Sequence, residues 1–303
     1  CETGHDPRKC GQPGGAPYKS VQGKNGAVPT AIQSKFLKLK CMSDYTFLKK
    51  LKSGEAAYGL MAFEFMTPGL PSIVKACGAD FLIFDTEHSG CSIETVKQQV
   101  ASARGLDLYP ISRVAGSHYH LIAPMLDAGT KGIMVPAVSS VEEASKIAEW
   151  CRYRPLGKRG LGLNLAHDDY VPGDPLETLK NANRENTVII QIETREGLEQ
   201  VEEIMALPGV DAAWLGHFDL TDSMGIPGEF EHPEFLAAVD RILEACRKHG
   251  KAAGFLDMNI DRVRRFREKG FQLLGYGHDV MVFQKGLREG LELIRNGSSS
   301  QGS

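Results

Sequence analysis

No stretch of this 303-residue chain is apolar for long enough to cross a membrane. Charge of one sign is also lacking. Lys and Arg number 35 and Asp and Glu 38, for a net charge of -3, so nothing draws the chain to nucleic acid or an anionic membrane surface. The seven cysteines, at 1, 10, 41, 77, 91, 151 and 246, form no CxxC and no paired spacing. A zinc cluster or a disulfide framework is therefore not expected, and a reducing cytoplasm fits. Cys77, Cys151 and Cys246 fall in helix-like stretches, as small buried hydrophobes do.

Two ends stand apart in composition. Residues 1–40 are rich in Gly, Pro, Lys and Gln and read as a flexible extension. Residues 296–303, NGSSSQGS, read as a flexible tail. The domain between them, residues 41–295, is long enough for one large core.

That domain alternates in character. Short apolar runs near 58–64, 80–85, 109–114, 131–136, 187–193, 211–216, 251–256 and 271–276 read as strands buried on both faces. Helix-like stretches at 92–104, 117–128, 141–151, 195–206, 233–249 and 259–269 separate them, with Ser139, Thr194 and Pro233 at helix starts. Eight such units predict a TIM (β/α)8 barrel. A doubly wound open sheet is the other arrangement of this alternation, but no GxGxxG follows the first strand. Residues 159–186 contain no strand, so they are expected to be functional or to carry extra helices.

In a barrel, side chains at the carboxyl ends of strands converge where chemistry happens. Those ends carry Asp85-Thr86-Glu87-His88, Arg113, Gln191 with Glu193, His217 with Asp219, Asp257, and Tyr276 with His278. Glu193 and Asp219 form a carboxylate pair suited to a hard divalent cation such as Mg2+ or Mn2+. A Schiff-base mechanism needs a lysine here, but Lys131 and Lys251 fall at strand starts. Carbonyl activation is thus expected from a Lewis-acid metal.

These segments resemble the HpcH/HpaI metal-dependent pyruvate aldolases. The matching stretches are FDTEHSGCSIETV (84–96), SRV with MLDAGTKGIMVPAV (112–138), RYRPLGKRGLG (152–162), QIETREGLEQVEEI (191–204) and GHFDLTDSMGIPGEFEHPEF (216–235). The resemblance implies cleavage or condensation of 4-hydroxy-2-oxo acids, giving pyruvate or a related 2-oxo acid and an aldehyde. It implies Glu193 and Asp219 as ligands of Mg2+ or Mn2+, with Co2+ also compatible. It gives His88 the role of base, Arg113 that of oxyanion stabiliser, and Asp127 that of the acid paired with His88, sometimes across a subunit boundary. Asp85 would lie near the waters of the metal, and Gln191 would contact the pocket.

Two departures affect substrate choice. Gly216-His217-Phe218-Asp219 stands where the family commonly has Gly-Pro-Ala-Asp; its amides would hold the acid carboxylate, and His217 and Phe218 would alter the donor, hydroxypyruvate included. Ala115-Gly116-Ser117-His118-Tyr119 replaces a Trp-Asn-Asp-like segment on the aldehyde side. Alternative readings are oxaloacetate decarboxylation, carbon–carbon joining like that of macrophomate synthase, a citrate-lyase-like enzyme acting on CoA thioesters, and a non-catalytic barrel.

Phe283, Leu287, Leu291 and Ile294 recur at helical spacing near the end of the chain. This stripe either covers its own barrel or, as the resemblance implies, is exchanged with a neighbouring subunit in a trimer or hexamer. His5, His118, His120 and His249 read as surface residues.

Overall fold

Valine, isoleucine, leucine and phenylalanine fill the short runs on both parities, so each strand needs cover on two sides. The computed structural model, which describes residues 45–296, meets that need with a closed barrel of eight parallel strands in sequential order. The expected extension, residues 1–40, and the tail beyond Asn296 lie outside the described residues.

The strands are β1 (Ala57–Ala62), β2 (Phe81–Asp85), β3 (Tyr109–Arg113), β4 (Gly132–Val135), β5 (Thr187–Ile192), β6 (Ala212–Leu215), β7 (Ala252–Asp257) and β8 (Leu273–His278). Each overlaps its expected run. Helix α1 (Thr46–Ser53) precedes them, and α2 (Leu70–Ala76), α3 (Ile93–Ala103), α4 (Tyr119–Asp127) and α5 (Val141–Cys151) follow the first four strands in turn. Helices α6 (Pro175–Glu185), α7 (Arg195–Glu199), α8 (Val201–Ala206), α9 (His217–Ser223), α10 (Pro233–Lys248), α11 (Ile260–Lys269) and α12 (Asp279–Asn296) complete the outer ring.

Period-two alternation divides the core into two layers. Inside the barrel lie Met61, Phe81, Ile83, Tyr109, Ile111, Met134, Ile189 and Trp214. Phe47 of α1 plugs the amino-terminal end, stacked on Tyr109 with ring centroids 4.3 Å apart. Between strands and helices lie Leu82, Phe84, Ile133, Val135, Ile190, Leu215 and Phe255 with helix residues such as Val96, Ile147 and Ile242.

Several expectations are refined. The helix after β4 is capped by Ser140, whose Oγ accepts the Glu143 N–H at 3.2 Å, while the N–H of Ser139 donates to the Glu143 carboxylate. Thr194 caps α7 as expected, at 3.0 Å from Gly197 N. The stretch 195–206 is two short helices meeting at Gln200, whose side chain bonds Val141 N and Ser139 O on the neighbouring unit. Residues 159–186 carry α6 and a single 3-10 turn, Ala166–Asp168. Cys151 and Cys246 are buried as expected, but Cys77 is exposed, because α2 ends one residue before it. His118 and His120 are exposed, and His249 is half-buried.

Candidate active site

The inward parity that carries Phe81 and Ile83 continues to Asp85, and that of Tyr109 and Ile111 to Arg113. Parallel register pairs Asp85 with Arg113 directly across β2 and β3. Arg113 Nε donates to Asp85 Oδ1 at 2.5 Å, and Nη1 lies 3.2 Å from Glu87 Oε2. The Phe63 ring, in the loop after β1, faces the guanidinium 5.6 Å from its centroid. Three neighbours thus hold a permanent cation at the barrel mouth with part of its fork still free to donate.

Two strands further round the barrel, at the end of β5, Gln191 and Glu193 follow Ile189 on the inward parity. Gln191 Nε2 donates to Glu193 Oε2, and the backbone N–H of Ala137, beyond β4, donates to Oε1 at 2.6 Å. A Cβ on Gly216 would run into the Glu193 carboxylate and the Gln191 amide, so glycine lets these two side chains pack directly on the backbone at the end of β6. Asp219, in the first turn of α9, is exposed at the mouth.

Burial raises the Glu193 carboxyl to about 7; its bonds from Gln191 and Ala137 oppose this, and the charges of Asp219 and Glu87 add to it. Glu87 is likewise raised, first by burial, with Arg113 and His88 pulling it down and Asp85 and Asp219 pushing it up. Glu87, Glu193 and Asp219 therefore feel one another across the mouth. Oxygen donors under mutual repulsion fit a hard divalent cation, which would relieve that repulsion. Among the described residues no three His, Cys, Asp or Glu side chains form a ready metal cluster, so the protein would offer the two carboxylates Glu193 and Asp219 and leave further positions to water or substrate.

His88 is exposed, with 60% of its side chain open to solvent. Its backbone N–H donates to Asp85 Oδ2 at 2.8 Å, and its ring Nε2 lies 3.7 Å from Glu87 Oε2. The two lysines expected at strand starts are engaged away from the mouth: Lys131 Nζ with His167 O and Glu185, and Lys251 Nζ with Val210 O. Two surface grooves of about 360 and 460 Å³ open at the amino-terminal end of the barrel, between residues such as Lys52, Arg247 and Gln272, and touch none of the site residues.

Two expected site residues take other places. Asp127 ends α4, a helix that runs from the mouth towards the amino-terminal end, and it pairs with Arg159 at 2.6 Å; within one chain it does not meet His88. His217 turns into the strand–helix layer, its ring 5.0 Å from both Phe230 and Phe255 and 4.5 Å from Phe218. Burial lowers its pKa to about 4, against the pull of Asp257, so it is neutral rather than a charged group beside the cation site. Phe218 is exposed. Sequence reasoning gave no role to Glu87, although it stands in the same TEH run as His88.

The sequence profile of the HpcH/HpaI aldolase/citrate lyase family matches residues 64–285. A hydroxypyruvate/pyruvate aldolase of Roseovarius nubinhibens is 32% identical over 246 residues, 81% of this chain and 95% of that protein. A 4-hydroxy-2-oxo-heptane-1,7-dioate aldolase of Escherichia coli is 31% identical over 245 residues, 79% of this chain and 91% of that protein. Among solved structures, an HpcH/HpaI aldolase of Desulfitobacterium hafniense superposes with a TM-score of 0.79 at 27% identity, covering 84% of this chain and 98% of that one. With the barrel, the paired carboxylates and the clamped arginine on one face, the chain belongs to the HpcH/HpaI aldolase/citrate lyase family.

Proposed function

We propose that this protein is an aldolase that cleaves and forms 4-hydroxy-2-oxo acids, with pyruvate or hydroxypyruvate as the donor and a divalent cation, Mg2+ or Mn2+ and alternatively Co2+, as cofactor. The observation that carries this reading is that Glu193, Asp219 and Arg113 follow strands ending at one barrel mouth. A cation held by the two carboxylates would polarise the keto oxygen of a 2-oxo acid and stabilise the enolate. Arg113 directs its remaining N–H donors at the developing oxyanion, and Asp85 and Glu87 fix its angle. His88, open to the mouth, moves the proton. Gly216 lets the Glu193 side chain pack close to the end of β6, and Gln191 orients its carboxylate. The names of the Roseovarius and Escherichia coli relatives support the reaction class and both donors.

Asp127 serves this chemistry only from a neighbouring copy, because its own α4 carries it away from His88. The exposed stripe on α12, with Phe283 at 57% and Ile294 at 78%, supports burial against a second copy in a trimer or hexamer. Among the described residues no helix is long and apolar enough to cross a membrane; with unpaired cysteines, this supports work in the cytoplasm.

Aldol cleavage assayed with 4-hydroxy-2-oxo acids tests the reading. Chelator-sensitive release of pyruvate and aldehyde is expected. Turnover of a malyl or citramalyl thioester without cleavage of any hydroxy-oxo acid would replace it with the citrate-lyase-like alternative.

A further inference from the structure

Asp279 is 5% exposed, a carboxylate at the first position of α12. An acid there ordinarily faces the amides of its own helix. Here only Val280 N, at 2.9 Å, belongs to that helix. The other three donors come from the loop after β1: Phe63 N to Oδ1 at 3.0 Å, and Glu64 N and Phe65 N to Oδ2 at 2.9 and 2.7 Å. The nearest basic side chain, His278, has its Nδ1 3.9 Å away. A buried carboxylate costs stability unless its oxygens are satisfied. Asp279 meets that cost by fastening a loop more than 200 residues distant in sequence.

The fastened loop carries Phe63. Its ring packs on His278 with centroids 4.6 Å apart and covers the Arg113 guanidinium at 5.6 Å. Asp85 and Glu87 grip that guanidinium by its N–H groups, which leaves its flat faces to be set by packing. Phe63 closes one of them. Gly277, at φ 58° in the strand end just before, gives the backbone the left-handed turn that aims His278 and Asp279 back at this loop.

We propose that Asp279 is a positioning residue for Arg113, acting through the Phe63 loop; the proposal rests on the aldolase reading, in which Arg113 faces the oxyanion. Asp279 touches no reacting group in that reading. Its loss would let Phe63 move and the guanidinium tilt, and small misplacements of a charge-stabilising group lower turnover steeply.

The test is a double-mutant cycle on pyruvate methyl hydrogen exchange with Mn2+, using Asp279→Asn and Phe63→Leu, each alone and with Arg113→Lys. Asparagine keeps the size but presents an NH2 group to two backbone N–H donors. Each single variant is expected to lower the exchange kcat roughly tenfold, with KM for pyruvate little changed. In the Arg113→Lys background each is expected to cost less than about twofold. Backbone amide hydrogen exchange at Phe63–Phe65 should quicken in Asp279→Asn. Equal losses in both backgrounds, or no loss in either, would overturn the proposal. If Asp279→Asn fails to fold, the Phe63→Leu cycle decides by the same criterion. A wild-type protein that exchanges no pyruvate hydrogens above the Mn2+ control would instead overturn the aldolase reading.

Discussion

Arg113 Nε donates to Asp85 Oδ1 at 2.5 Å, and that carboxylate has no exposed surface. Removing one partner of a buried ion pair leaves the other charge without compensation. Asp85→Ala is therefore expected to lower stability by about 3–5 kcal/mol, read as a drop in Tm. Asp85→Asn keeps an acceptor and should cost less. Arg113→Lys replaces the planar fork that reaches Asp85, Glu87 and the mouth at once by a single compact ammonium, and it should reduce the rate of pyruvate enolisation by roughly 10²–10³.

The position of the Glu193 carboxyl, at about 7, makes cation binding depend on pH. At pH 6 the empty protein holds a proton there that the cation must displace; at pH 8.5 it holds none. Calorimetry in buffers of different ionisation enthalpy should find roughly one proton released at pH 6 and almost none at pH 8.5. The sign for folding is the opposite of the usual carboxylate case. With a folded pKa raised above 4.5, the metal-free protein has this contribution in full below pH 4.5 and loses it as pH rises through about 7. Glu193→Gln should abolish both dependences.

His217 is neutral in the folded protein and charged in the unfolded chain below about 6.5. Its contribution to stability is present above pH 6.5 and is lost as pH falls towards about 4. His217→Leu should flatten acid unfolding across that window, measured by chemical denaturation at successive pH values. The pH–rate profile should keep its shape, because the ring lies in the strand–helix layer with Phe255.

On α12, Phe283, Leu287 and Leu291 are exposed along one face. Phe283→Glu with Leu287→Glu should lower the mass measured by light scattering to that of a smaller assembly. Its loss should also remove whatever Asp127 contributes from a neighbouring copy.

The barrel was legible because its strands are apolar on both parities, a pattern that only a sheet covered on both faces explains. Asp85, Arg113, Gln191 and Glu193 were legible for the related reason that each continues an inward parity set by buried residues before it. Past the strand ends that rule stops. Glu87 sits in the loop after β2 and His217 at the very start of α9, where no strand period carries over, so the inward turn of Glu87 towards Arg113 and the outward turn of His217 could not be read. Arg159, the partner of Asp127, lies in a long strandless segment. The break at Gln200 carries no Gly or Pro, and Asp279 looks like any helix-capping acid until the β1 loop is seen against it.

The central claim is that Glu193 and Asp219 hold a cation at the barrel mouth they share with Arg113 and His88, for enolate chemistry. Exchange of the pyruvate methyl protons in D2O, followed by NMR with Mg2+ or Mn2+, tests it without knowledge of the aldehyde. The account predicts exchange that needs the protein, stops with excess chelator, and falls by at least about a hundredfold in His88→Ala and in Arg113→Ala. Exchange no faster than with the metal ion alone, or exchange unchanged in both variants, would contradict it.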